Sequence, residues 1–452
     1  MTGRGLTKEN LILTLGATLV ASALTLMLAP WLFSSQAGFN SDGVRYMGYA
    51  HQLLQHGTFA LDAQDNFFNR AGMFLPAGTP NYATAPGYFP VLAGALAIWD
   101  DWRASLVLNM AFFAASCWAG LWILAAAGAG RIARLVFCAA MVFDPSYLFF
   151  DGGVQVETQA AFLAIAFAAL WFAAWRGGMR NLFLLLGAGL CGGAATLTRG
   201  NLLPFMLILL FAMLANRAQA LTRRHVLRTA LVLAVMMAVV GSWALRNFQI
   251  AHIWYPTGSA GPVGQTLEVN FALGGTRTAP VLIWPEGDQA AFGASLRAHG
   301  ETPVQAEAET DREVSRQVLR YVARHPVWAA RVYGASVVRF FLASIFDEPD
   351  WIAGRLGGHG GPAFVAASKI FVFGFRGIVL LAFLAFPILL LRRAVAPVFG
   401  MLWAATLIFA LMTAFVAVGH DRYRLPVESV CLIFVALWLQ YLSALRRAAP
   451  AR

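Results

Sequence analysis

Ten apolar runs dominate this chain: residues 10–33, 104–127, 132–149, 156–175, 181–197, 201–216, 226–244, 370–391, 396–418 and 425–445. A helix needs about 17–25 such residues to cross the hydrocarbon core of a bilayer. The pair 181–197 and 201–216 is short and reads as a hairpin around Thr198-Arg199-Gly200-Asn201. Of the 452 residues, 59% are hydrophobic and only 12% are charged, with a mean hydropathy of +0.64. A soluble domain carries about 25% charge, so a disordered chain, a secreted disulfide scaffold and an ordinary cytosolic enzyme are all excluded. The sequence predicts an all-α polytopic membrane protein.

Charge gives the topology. Lys and Arg concentrate in cytoplasmic loops. With the N-terminus inside, the cytoplasmic side holds 15 basic residues and a single acidic one, Glu9. The remaining 18 basic and 21 acidic residues fall outside or in the outer half of a span. Two shorter apolar stretches, 86–98 and 327–346, the latter interrupted by Arg331 and Arg339, are therefore expected as amphipathic helices lying at the interface. Promoting either to a span would invert several Arg-rich loops. The first run exceeds the 7–15-residue core of a signal peptide and is expected to remain as a span. Cys117, Cys138, Cys191 and Cys431 all sit inside apolar runs, where small core residues are expected and disulfides are not.

Two outside segments are long, 34–103 and about 245–369, and any chemistry belongs on that face because the cytoplasmic connections are short. Three regions follow: an N-terminal membrane core, 1–244, an extracytoplasmic loop with an interfacial helix, 245–369, and a C-terminal set of spans, 370–452. Within 301–324 the Glu/Arg spacing suits an exposed helix with (i, i+3) and (i, i+4) pairs.

Several polar residues stand at the outer ends of spans. Asp42 opens a helical stretch containing Tyr46, where it would also serve as an N-cap. Thr84-Ala85-Pro86-Gly87-Tyr88-Phe89-Pro90 opens the first short helix. Asp151 and Glu157 bracket the entrance to the fourth span, and carboxylates at membrane depth are functional candidates. Arg199, Arg246, Arg422 and Arg424 share the same face. Guanidinium matches phosphate in a bidentate manner, although each Arg alone would also suit lipid headgroups or a neighbouring acid such as Asp421 or Glu428. Together they point to an anionic substrate.

In order along the chain come Asp42, the Pro86/Tyr88/Pro90 helix, Glu157, Leu197-Thr198-Arg199, Trp243 to Asn247, His325-Pro326 and Arg422-Tyr423-Arg424-Leu425-Pro426. This series resembles the GT-C superfamily of membrane glycosyltransferases, which includes protein O-mannosyltransferases, oligosaccharyltransferases and the lipid A aminoarabinose transferases. The resemblance implies a GT-C-like bundle of about ten spans with interfacial helices in two outer loops. It also implies transfer of a sugar, with inversion, from a polyprenyl-phosphate donor to a lipid, glycan or protein acceptor. Membrane lipids are the expected surroundings, and no nucleic acid is expected as a partner. The implied setting is the bacterial inner membrane, with the site on the periplasmic face.

Under that resemblance Asp42 is the base or a ligand of a divalent cation, Mg or Mn, shared with Glu157. Glu157 and Asp151 are the further catalytic carboxylates. Arg246 and Arg424 hold the donor phosphate, with Arg422 and Arg199 beside them. Tyr46, Tyr88 and His420 line the sugar or acceptor pocket. Some lipid A-modifying members carry a Lys next to the Pro-Tyr helix, where this chain has Thr84 and Ala85; Arg70 is the candidate substitute. Two other classes fit the same groups: a transporter or flippase of a lipid-linked anion, and a ligase or polymerase of lipid-linked glycans.

Overall fold

The computed structural model describes residues 8–28, 41–60, 78, 80, 84–214, 222–252, 254, 286–342, 362–416 and 421–448. Among them every regular element is a helix. Seven are long and apolar enough to cross a membrane: α1 (Lys8–Leu28), α4 (Ala104–Ala126), α7 (Glu157–Arg176), α10 (Arg223–Ala251), α14 (Pro362–Leu391), α15 (Pro397–Val416) and α16 (Asp421–Ala448). The centre of the bundle is α7 and α16, which are buried over most of their length. By contrast α1, α10 and α14 leave most of their apolar surface outward. A helix that is apolar all round belongs in a core or in lipid, and both cases occur here.

The other three expected spans fold as shorter helices. Residues 132–149 break into α5 (Arg131–Phe143) and α6 (Pro145–Phe150). The break is chemical. The Asp144 side chain accepts from the backbone N–H groups of Ser146 at 2.8 Å and Tyr147 at 3.1 Å, and Pro145 occupies the first helical position, where its missing N–H costs nothing. The expected hairpin is α8 (Leu182–Thr198) and α9 (Leu203–Leu214). Helix α8 packs between α7 and α10, α9 packs along α15, and α5 packs along α16. Close approach of α8 to α10 depends on small residues: a Cβ on Gly193 would lie 2.6 Å from Val239 Cβ.

The segment between α1 and α4 builds a small core of its own. Helix α2 (Ser41–His56) packs on α3 (Phe89–Ile98), and α3 packs on α4. Tyr46, Tyr49, Tyr88, Phe89, Leu92 and Leu96 are buried there with Val154 and Val156.

Between α10 and α14, α11 (Glu286–Ala298) packs on α12 (Pro303–Arg324), and α12 turns at His325 into α13 (Pro326–Leu342). The expected ion-pair helix is α12, with Arg312 on Glu309 and Arg316 on Glu313. Its opposite face is covered, with Val314 and Val318 against Ala329 and Val332 of α13. The helix expected over 327–346 is α13 as far as Leu342, and residues 343–346 lie outside the described residues. One face of α13 is taken by protein: Phe340 and Phe341 enter the main core, the Tyr333 hydroxyl donates to the Leu411 carbonyl at 3.0 Å, and the helix packs against α14, α15 and α16, while Val327 and Val338 stay exposed.

Candidate active site

Three helix ends meet at one carboxylate. Glu157 is in the first turn of α7, Arg199 ends α8 in an extended conformation, and Arg422 is in the first turn of α16. The Arg422 Nε donates to Glu157 Oε1 at 2.5 Å, and the Arg199 Nη2 donates to the same oxygen. The Glu157 side chain is fully buried, whereas those of Arg199 and Arg422 keep 11% and 19% of their surface exposed. One carboxylate and two guanidiniums leave a net charge of one positive unit facing outward. Such a cluster attracts anions.

Helix α2 and the turn before α3 supply one wall. Arg422 Nη2 donates to the Tyr46 hydroxyl at 3.4 Å. The ring of Tyr46 meets that of Tyr88 edge to face, with centroids 5.6 Å apart, and Arg199 lies over the ring of Tyr423 at 5.3 Å. Burial pushes the Tyr88 phenol well above its ordinary value, with Tyr46 and Glu157 adding to the effect, so it remains a neutral donor. Two buried polar atoms of this cluster, Glu157 Oε2 and the Tyr88 hydroxyl, have no hydrogen-bond partner among the described residues.

A stitch holds the wall in place. The Gln159 side-chain amide donates to the Gly87 carbonyl at 2.9 Å and to Thr198 Oγ1 at 3.3 Å, and the Gly87 N–H donates to the Leu197 carbonyl at 2.9 Å. The turn before Tyr88 is thereby fixed to the turn before Arg199. Only glycine fits at position 87, because a Cβ would lie 2.6 Å from the Thr198 backbone nitrogen. Sequence reasoning missed Gln159. The signal was the run Gln155-Val156-Glu157-Thr158-Gln159, four polar side chains at the mouth of an otherwise apolar helix.

Other expected site residues lie elsewhere. Arg424 requires a correction. Its guanidinium is turned into the core, where it donates to Glu428, to the Phe341 carbonyl and, at 3.2 Å, to Ser146 Oγ. Successive helical residues are rotated by about 100°, so positions 422 and 424 point in nearly opposite directions and only one can reach Glu157.

Arg246 is held by other partners. Its Nη2 donates to the Phe59 carbonyl at 3.1 Å and its guanidinium lies 4.3 Å from the Trp243 ring centre, so it ties the end of the α2 segment to α10. Asp151 is buried and accepts from the Thr158 hydroxyl at 2.6 Å, while its backbone carbonyl accepts from Asn109. Burial pushes the Asp151 carboxyl up to about 8, against the pull of the Thr158 hydroxyl. It is a buttress between α4, α6 and α7.

Asp42 is placed in the first turn of α2, but its side chain lies outside the described positions, as do Arg70 and His420. The expected cation ligands are Asp42, whose side chain lies outside the described positions, and Glu157. Glu157 is engaged by two positive groups, and no group of three or more His, Cys, Asp or Glu among the described residues could hold a metal ion.

No family model matches the sequence, and none of the curated proteins compared with it matches. Solved structures do. The archaeal oligosaccharyltransferase AglB from Archaeoglobus fulgidus, in complex with an inhibitory peptide and a dolichol-phosphate, aligns with a TM-score of 0.51 at 14% identity, over 97% of this chain and 52% of its own. The chain has a GT-C-like fold. It spans about half the length of AglB. ArnT from Cupriavidus metallidurans bound to undecaprenyl phosphate aligns with a TM-score of 0.42 at 14% identity, over 95% of this chain and 78% of its own. With its GT-C-like architecture and seven long apolar helices, the chain is a multi-pass membrane protein.

Proposed function

We propose that this protein is an integral membrane glycosyltransferase. It moves a sugar from a polyprenyl-phosphate donor to a lipid, glycan or protein acceptor at the extracytoplasmic face of a bacterial inner membrane. The observation that carries this reading is the meeting of Arg199 and Arg422 at the ends of two apolar helices, beside the wall made by Tyr46 and Tyr88. An anion site at helix ends suits a phosphate at headgroup depth whose prenyl chain lies between helices. AglB, with the same fold, was solved in complex with a dolichol-phosphate, which supports a lipid phosphate as the ligand.

The mechanism follows from charge. As the acceptor oxygen bonds to the anomeric carbon and the carbon–oxygen bond to phosphate breaks, negative charge grows on the leaving phosphate. Arg199 and Arg422 stabilise that charge with groups already in place. A single displacement inverts the anomeric centre. The proton of the acceptor hydroxyl goes to Asp42, which stands one turn before Tyr46 on the same face of α2. General-base catalysis of this kind is worth about 10²–10⁴-fold. A transporter places its binding groups near the bilayer midplane; the topology expected from the positive-inside rule instead puts Glu157, Arg199 and Arg422 together at the outer face, which favours the transferase.

The test is to incubate the purified protein with polyprenyl-phosphate sugars and measure release of polyprenyl phosphate. Consumption of such a donor is the expected result. Folded protein that consumes none of them, yet moves a lipid-linked anion between leaflets, would overturn the reading.

A further inference from the structure

The two guanidiniums that suit a phosphate are already occupied. One oxygen of Glu157 accepts from both Arg199 and Arg422. Glu157 is fully buried, so its charge is poorly screened by solvent, while both arginines keep an exposed edge. An incoming phosphate therefore meets two donors that face a carboxylate. It must draw them away or bind with that negative charge alongside, and both routes oppose binding.

We infer that Glu157 is a built-in competitor for the phosphate group, holding Arg199 and Arg422 in the resting protein and reclaiming them when the ligand leaves. The inference rests on the proposed use of these arginines for a polyprenyl phosphate and gives that site a release mechanism. A sugar-phosphate donor is a phosphodiester with one negative charge. The product is a phosphomonoester, which carries about 1.5 to 2 negative charges at neutral pH. Two arginines alone would grip the product more tightly than the donor. A fixed carboxylate on the same donors penalises the more highly charged product most, so it shortens product residence.

The opposite role is also definite. If Glu157 served only to position the guanidiniums, its removal would weaken phosphate binding. The sign of the effect therefore decides between the two.

The experiment measures binding of polyprenyl phosphate in nanodiscs, with inorganic phosphate and polyprenol as separate probes, to wild type, Glu157→Gln and Glu157→Asp, each checked for a cooperative thermal transition. The expected result is about tenfold tighter binding of polyprenyl phosphate to Glu157→Gln, a smaller gain for Glu157→Asp, and no change for polyprenol. A gain confined to the lipid assigns the site to a headgroup phosphate; a gain shared with inorganic phosphate assigns it to the anion alone, and competition stands in both cases. Equal or weaker phosphate binding to folded Glu157→Gln would overturn the inference while leaving the lipid-phosphate site intact. Should that variant not fold, the sign of the Glu157→Asp change decides. Wild type and variants that bind no phosphate probe would instead remove the proposed function, and with it the competitor.

Discussion

The Arg422 Nε lies 2.5 Å from Glu157 Oε1, although 265 residues separate the two in sequence. The contact joins the first turns of the two most buried of the seven long apolar helices and makes this end of the bundle a single electrostatic unit with Arg199. If these guanidiniums meet the leaving phosphate, Arg422→Ala and Arg199→Ala each lower turnover by about 10²-fold or more, as loss of a preorganised donor does elsewhere. Lys at either position recovers part of the loss, since an ammonium offers a point charge without the fork. The check is polyprenyl phosphate release at matched amounts of folded protein. Because the two act on one group, the double variant should lose less than the two single effects combined. Turnover near that of wild type in both single variants would reduce the arginines to a structural tie.

Gly87 couples fold to site. An added Cβ would meet the backbone of Leu197 and Thr198, at 2.8 and 2.6 Å, and backbone cannot swing aside as a side chain can. Gly87→Ala is expected to cost about 1–3 kcal/mol, to lower the midpoint of thermal unfolding by several degrees, and to reduce turnover by displacing Tyr88. A melt in detergent together with the release assay checks both. An unchanged melt would mean that the two turns are not tied as described.

Much of this site was legible in the sequence because the membrane environment makes polar residues conspicuous. Glu157, Arg199, Tyr46 and Tyr88 stood out at the ends of apolar runs, and the structure brings them together. The choice between Arg422 and Arg424 depends on the rotation of α16 about its axis. Both flank Tyr423 in a polar turn, and only the partners supplied by α6, α7 and α13 decide which points where. The break between α5 and α6 was spelled in Asp144-Pro145, but hydropathy alone carried the expected span straight through it. Which neighbours cover one face of α13 could not be read from its own residues, since an apolar stripe with two Arg fits lipid and protein equally well.

Arg424 yields a prediction opposite to that for Arg422. Its guanidinium and the Glu428 carboxylate are both buried, and they bond to each other. Removing one partner of such a pair leaves an uncompensated charge in the core and costs about 3–5 kcal/mol. Arg424→Met should therefore reduce the yield of folded protein sharply, whereas Arg422→Ala should spare yield and reduce turnover. Combining Arg424→Met with Glu428→Leu should recover much of the stability, because apolar replacements of a whole pair are often tolerated. Yield and thermal unfolding of the three variants check this. A well-folded, inactive Arg424→Met would return Arg424 to the site.

Asp151 makes stability depend on pH. Its carboxyl is buried and pushed up to about 8, far above the value of about 3.9 in an unfolded chain. Below about pH 4 both states hold the proton and there is no penalty. Between about 4 and 8 the unfolded state releases its proton while the folded state keeps it, so the folded state loses about 1.4 kcal/mol per pH unit from this group. The stability that protonated Asp151 contributes is fully present at low pH and is lost as pH rises through 8. Asp151→Asn keeps an oxygen to accept from Thr158 and has no proton to release. Its melting temperature is expected to vary less between pH 5 and 8.5 than that of wild type, and to exceed it at the alkaline end. Parallel melts of the two proteins across that range are the measurement. A variant curve with the wild-type slope would show that Asp151 does not titrate with folding.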